Sequence, residues 1–496
     1  GMNIFVYALL CTSDHLSVAP ESALWLVGLH GESLYLKGLL DKIGVQADFM
    51  HMGDYKSAAE SLTRTGPSKP AAENTEWLFD GLYDSLVTMI AKSRGKTPDA
   101  VKALVDKGPY LANAALEQGL IDAVETRVEF LARIEKDMER EVRFNNRYGG
   151  KAKKAVNMAN PMAMFTIFAE MFQPPKPSSQ KDMVAIVYVE GAIMSGHSQP
   201  SPWGETQGAY SGDIRKALET AANDKNIKAV VMRVNSPGGS AEASEVILNA
   251  ARYVQSKKPL IVSMGNVAGS GGYYIACGAD AIFANAATIT ASIGVVGGKL
   301  ITTHMWDKLG VSWVSYQRGA NADIFSSAKP FSDDQRDKLE AYMQEVYDVF
   351  KGHVEKGRGY RLRKPLDELA GGRVFTGKQA QELGLVDFIG GLKEALDCAA
   401  EKAGLEDYDT RIIPRPKDFI TMMMEQHSGQ DNRPTDIGVG DVSHLLSGIP
   451  NVQGLLQMLQ KTEPRRAQAL IEALQRIELI RREGVIMMMP DTLVIH

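Results

Sequence analysis

Between residues 183 and 277 the apolar positions switch repeatedly between two patterns. Residues 184–189 and 229–234 are short, nearly continuous apolar runs rich in valine, as expected of strands buried on both faces of a sheet. Between them Ile214, Ala217, Leu218 and Ala221 recur at helical spacing. After the second run, Asn235-Ser236-Pro237-Gly238-Gly239 interrupts the pattern, and 240–257 then sets Val246, Ile247, Ala250, Ala251 and Val254 on one helical face. Residues 260–264 predict the next strand and 269–277 the start of the next helix. Strand and helix alternate, which predicts an α/β domain with a mainly parallel sheet. Elsewhere, 45–50 predicts a strand. Residues 452–459 and 464–482 predict helices, the second with Pro464 early and Ala467, Leu470, Ile471, Leu474 and Ile477 on one face.

The chain also repeats itself. Tyr7, Cys11, Asp14, Gly28, Gly31, Leu34, Asp41, Lys42, Gly44, Val45 and Gly53 recur 266 positions later as Tyr273, Cys277, Asp280, Gly294, Gly297, Leu300, Asp307, Lys308, Gly310, Val311 and Gly319. Glu117, Gly119, Leu120 and Asp122 recur as Glu382, Gly384, Leu385 and Asp387, at an offset of 265. Chance would scatter such matches over many offsets, so two copies of one domain are expected. The first copy starts at the equivalent of mid-domain and is incomplete. The expected organisation is a partial repeat at 1–146, a Gly-, Lys- and Pro-bearing linker at 147–181, a complete repeat at 182–404 and an extension at 405–496, in which 426–442 reads as a loop.

Bulk properties narrow the chemistry. A chain of 496 residues favours two or three domains. Lysine and arginine number 55 against 60 aspartates and glutamates, a net charge of -5. With no basic surplus to neutralise phosphates, nucleic acid is a poor partner. Three scattered cysteines, Cys11, Cys277 and Cys398, suit buried thiols better than a disulfide framework or a zinc site. The apolar stretches 4–11 and 162–172 are shorter than the roughly 20 residues a membrane helix needs, so no signal peptide or anchor is expected in them. Gly1 before Met2 reads as an expression remnant.

Two segments can carry chemistry, each weak alone. Gly238 and Gly239 follow a buried strand, where glycine lets a backbone approach a ligand and aim its amides at developing negative charge; an ordinary tight turn is the plainer reading. Ser270 stands in Ala268-Gly269-Ser270-Gly271-Gly272 at a strand-to-helix turn, which can expose a hydroxyl beside a helix start, although a serine among glycines is more often a cap. No histidine occurs between Ser240 and His304 to activate it. A lysine surrounded by apolar atoms could, because burial favours the neutral amine. Lys56, in Gly53-Asp54-Tyr55-Lys56-Ser57-Ala58, is such a candidate. In the repeat Lys56 aligns with Ala322 and Ser270 with Ile4, so each copy keeps the half of the pair that the other lacks.

Arg233-Val234-Asn235-Ser236-Pro237-Gly238-Gly239-Ser240, Ala268 to Tyr274, Thr290-Ala291-Ser292-Ile293-Gly294 and the Lys56 segment together resemble the long, two-copy form of the signal peptide peptidase A family, also called protease IV. The similarity covers roughly residues 5 to 400. It implies a β-β-α spiral shared with Clp protease subunits and crotonases, in two tandem repeats. It implies Ser270 as nucleophile, Lys56 as general base and Ser292 as the residue orienting the lysine amine. The amides of Gly239 and Gly271 would form the oxyanion hole, with substrate along Gly238 and Gly239. It further implies a ring of copies at the bacterial cytoplasmic membrane, facing the periplasm, that cuts leftover signal peptides and other extended apolar segments. The sequence departs from the family in lacking an anchor and the front of the first copy, so any membrane association would belong to the native precursor. Asn235 also stands where the family often has aspartate.

The expected function is therefore a serine endopeptidase with a Ser-Lys dyad that needs no metal or cofactor. The alternatives are a crotonase-like acyl-CoA enzyme, which would not need Ser270, and an inactive membrane-associated scaffold.

Overall fold

The computed structural model describes residues 2–140, 182–198, 200–201, 204–205, 208–414, 461–490 and 494–495. The linker expected at 147–181, the apolar stretch 162–172, the loop 426–442 and the helix 452–459 lie outside the described residues. Packing divides the chain into two compact units. One comprises Gly1–Leu29 and Tyr83–Gln180, the other His30–Leu82 and Lys181–His496.

In the first unit, strand Met2–Asn3 runs into helix Ile4–Leu10, whose start is capped by the Asn3 side chain accepting from the Val6 amide. Strand Ala23–Trp25 lies between Met2–Asn3 and Tyr110–Leu111. A core of Ile4, Tyr7, Leu24, Ile90, Val101 and Leu120 closes beneath them.

The second unit holds two sheets. The larger is built on β2 (Met183–Glu190), β4 (Ile227–Ser236) and β6 (Leu260–Gly269), all parallel, as the valine-rich runs predict. β6 pairs through Ile261, Val262 and Ser263 with β7 (Ala281–Ala284), and the strand predicted at 260–264 extends to Gly269 because Val267, Ala268 and Gly269 pair with β8 (Ile289–Ala291). β10 (Val374–Thr376) closes that edge antiparallel, and β11 (Asp409–Ile412) lies parallel to β2 at the other. Helices α1 (Ser211–Asn223) and α2 (Ala241–Gln255) pack their predicted faces into one core with β2, β4 and β6. Ser240 caps α2, its hydroxyl accepting from the Ala243 amide.

The smaller sheet places β3 (Ile193–Met194), β5 (Gly238–Ser240), β12 (Val485–Met488), β9 (Val295–Ile301) and β1 (Gln46–Met52) side by side. β1 and β9 pair antiparallel over seven positions, from Met52 with Val295 to Gln46 with Ile301. Helix α4 (Pro464–Glu483), close to its predicted span, leads into β12.

The duplication recurs in detail within each unit. Met2 pairs with Leu24 as Ala268 does with Thr290, and Leu24 pairs with Tyr110 as Thr290 does with Phe375. The Tyr7 hydroxyl donates to the Leu120 carbonyl at 2.7 Å and that of Tyr273 to Leu385 at 2.9 Å. Asp122 accepts from the Leu16 amide and pairs with Arg94; Asp387 accepts from the Ile282 amide and pairs with Arg358. The fold is the Clp-protease-like α/β arrangement, with tandem copies.

Candidate active site

Ser270 stands at the junction of β6 and the short helix α3 (Gly271–Ala276). Its backbone adopts φ 52° and ψ -113°, a conformation that costs a non-glycine residue about 1 to 3 kcal/mol and persists only where neighbours over-determine it. The neighbours are evident. The Ser270 amide donates to the Ala291 carbonyl at 2.6 Å, and the Ser270 carbonyl accepts from the Tyr274 amide at 2.8 Å. Ala291 and Ser292 also have positive φ, 69° and 55°, so strain gathers on both sides of one hydroxyl.

Lys56 follows β1 and is 1 % exposed. A loop at 370–373 clamps it. The Tyr55 amide donates to the Gly371 carbonyl, and the Gly372 amide to Ile293. A methyl on Gly372 would stand 2.6 Å from the Lys56 backbone, so only glycine permits the approach. The Arg373 guanidinium lies over the Tyr55 ring, 4.0 Å from its centroid. The Arg373 carbonyl accepts from the Ser292 amide, which ties the lysine loop to the serine turn. The sequence reading missed this loop. Its signal was the pair Gly371-Gly372 after the apolar Leu369-Ala370.

The Lys56 side chain reaches three oxygens. Nζ lies 2.7 Å from Ser270 Oγ and 3.0 Å from both the carbonyl oxygen and Oγ of Ser292. A neutral amine has two N–H groups and one lone pair. If the two Ser292 oxygens accept the N–H groups, the lone pair is left for the Ser270 hydroxyl to donate into. Burial holds the Lys56 pKa well below the usual lysine range, and the Arg476 guanidinium depresses it further. Both influences favour the neutral form.

The glycine pair comes to the same place. Gly238 has φ 98°, and a methyl on it would stand 2.6 Å from the Gly271 nitrogen. A methyl on Gly271 would lie 3.2 Å from the Gly239 nitrogen. Thus Ser270, Lys56, Ser292, Gly238, Gly239 and Gly271 form one cluster within the second unit. Among the described residues no group of histidines, cysteines and carboxylates is arranged to hold a metal.

Fold and cluster together define an α/β protein of the Clp-protease-like class with a buried Ser-Lys contact. A Clp protease sequence profile matches residues 204–297, and the profile of Peptidase family S49 matches residues 5–141 and 252–406; the chain belongs to that family. It is 28 % identical over 464 residues to the chloroplastic serine protease SPPA of Arabidopsis thaliana, covering 92 % of this chain and 64 % of that one. It is 33 % identical over 421 residues to Protease 4 of Haemophilus influenzae, covering 82 % and 64 %. Over 191 residues it is 38 % identical to a putative signal peptide peptidase SppA of Enterococcus faecium, covering 38 % and 55 %. The chain thus spans somewhat less than two thirds of the length of these relatives.

Proposed function

We propose that this protein is a serine endopeptidase in which Ser270 is the nucleophile and Lys56 the general base, with Ser292 holding the amine in line. The observation that carries the reading is the 2.7 Å separation between Ser270 Oγ and the amine of a fully buried lysine. Lys56 takes the hydroxyl proton as Oγ bonds to the substrate carbonyl carbon. The resulting oxyanion is met by the amides of Gly239 and Gly271, one such donor contributing about 3 to 4 kcal/mol. As the C–N bond breaks, the Lys56 ammonium protonates the leaving amine. Water, deprotonated by the same lysine, then attacks the acyl-enzyme ester, and Ser270 leaves as the hydroxyl. This sequence calls on no metal or cofactor.

The substrates are extended apolar peptides, cleaved signal peptides among them, bound along Gly238 and Gly239. The working form is a ring of copies at the bacterial cytoplasmic membrane, on its periplasmic face. The name of one bacterial relative, a putative signal peptide peptidase, supports the substrate class. Among the described residues no helix is long and apolar enough to cross a membrane.

Ser270→Ala and Lys56→Met should each abolish hydrolysis of an apolar fluorogenic peptide while leaving the circular dichroism spectrum unchanged. Turnover retained in either variant would refute the assignment. An acyl-CoA enzyme of the same fold would keep its activity in Ser270→Ala.

A further inference from the structure

Ser270 is 0 % and Lys56 1 % exposed, so no peptide can reach them until something moves. What covers them is identifiable. β12 lies between β5 and β9, antiparallel to both. Gly238 pairs with Met488, Gly239 with Met487 and Ser240 with Ile486, while Val296 pairs with Ile486 and Gly297 with Val485. The pairing continues one residue further, where the Met489 amide donates to the Pro237 carbonyl at 2.9 Å. The Met489 side chain turns onto Gly269, the residue before Ser270, where a methyl would stand 1.9 Å from its sulfur. Pro490 follows and has no N–H with which to extend the ladder.

Side chains alternate as in any strand. Val485 and Met487 join the main core, whereas Ile486 and Met488 pack with Ala58, Ala59, Leu479 and Ile480 under α4. This is how strand addition binds an extended peptide, with backbone pairing for affinity and pockets for alternate side chains. Here the peptide is a segment of the same chain, paired to the two glycines proposed to hold substrate.

We infer that Val485–Met489 is a built-in occupant of the peptide cleft that keeps the dyad shut until it withdraws. The inference rests on the reading of Ser270 and Lys56 given above. Being tethered, the occupant competes at an effective concentration in the millimolar range for short flexible linkers, so free peptides enter only where it has left. It also defines what the cleft accepts: an extended strand with apolar side chains at the positions of Met487 and Met489.

The test compares the full chain with one ending at Gly484, both titrated with a fluorophosphonate that labels reactive serines, with Ser270→Ala as the blank. The shortened chain should label at Ser270 at least tenfold faster and hydrolyse an apolar fluorogenic peptide at least tenfold faster. A synthetic peptide of residues 485–490 should slow both competitively, and a scrambled one should not. Equal labelling rates in the two chains overturn this inference and leave the dyad standing. Absence of labelling in both folded chains overturns the dyad and the inference with it.

Should the shortened chain fail to fold, hydrogen exchange on the intact chain decides. Covalent capture of Ser270 by a fluorophosphonate carrying an apolar peptide should expose the amides of 486–489 to exchange. Unchanged protection there after full labelling overturns the inference.

Discussion

A single proton on Lys56 links catalysis to stability. Because burial and Arg476 hold its pKa well below the usual value of about 10.4, turnover should rise with pH as the ammonium is lost and level off well below that value. Stability should follow the same proton. Between the depressed folded pKa and the ordinary unfolded one, the unfolded chain binds more protons, so stability increases with pH across that window. That contribution is fully present above the unfolded pKa and is lost as pH falls through the folded one. Lys56→Met should remove this slope, which urea denaturation at a series of pH values will detect; a slope of equal size in the variant contradicts the assignment of a buried, largely neutral amine. Ser292→Ala removes one of the two acceptors that leave the lone pair facing Ser270. A hydrogen bond of roughly 1.5 kcal/mol corresponds to about a tenfold fall in kcat, with KM little changed, read from steady-state kinetics.

At the scale of elements, the lysine and the serine are brought together by segments distant in sequence. Asn74 illustrates how. Its side-chain amide donates to the Val374 carbonyl and accepts from the Val374 amide, both at 2.9 Å, so one buried side chain completes the pairing of β10 at the sheet edge next to the loop that clamps Lys56. Asn74→Ala leaves both backbone groups of Val374 without that partner, at a cost of about 1 to 3 kcal/mol for each buried group. The midpoint of thermal unfolding should fall, and activity should fall with it because Gly371 and Gly372 lose their support. An unchanged midpoint would show that the amide pair contributes nothing. The contrast between legible and hidden parts is physical. The valine runs revealed β2 and β4 because parallel strands bury both faces, and the constant offset exposed the duplication because insertions had not blurred it. β12 stayed hidden: the five apolar residues between Gly484 and Pro490 are too few to show a period, and nothing in the sequence names their partner strands. Antiparallel addition between β5 and β9 leaves no trace in local periodicity. Gly372 was opaque for the same reason, since its need for glycine is set by Lys56, over 300 residues away in the chain.

For the whole molecule, the repeat predicts its own neighbour. Phe49 of β1 pairs with Gly298 of β9, which joins a strand of the first copy to one of the second. Advancing Phe49 by the repeat offset gives Ser315, and setting Gly298 back by it gives Glu32. Residues 312–318 form no strand and are exposed, with Trp313 at 70 % and Tyr316 at 91 %. Gly31 and Glu32 are paired instead with Ile495 and Val494. A head-to-tail contact in which 312–318 of one copy adds to the Gly31–Glu32 edge of the next would repeat the β1–β9 junction between chains, and such heterologous contacts close into rings when the rotation allows. Val494–Ile495 would have to leave first. The segment that fills the cleft therefore continues into the one that fills this edge, so cutting the chain after Gly484 should both raise activity and promote assembly. Sedimentation velocity should show the shortened chain as an oligomer and the full chain as smaller. Val314→Lys in the shortened chain should return it to the smaller species, because a lysine on an edge strand opposes pairing with a further strand. If the shortened chain and its Val314→Lys variant sediment alike, the ring is not built through this strand.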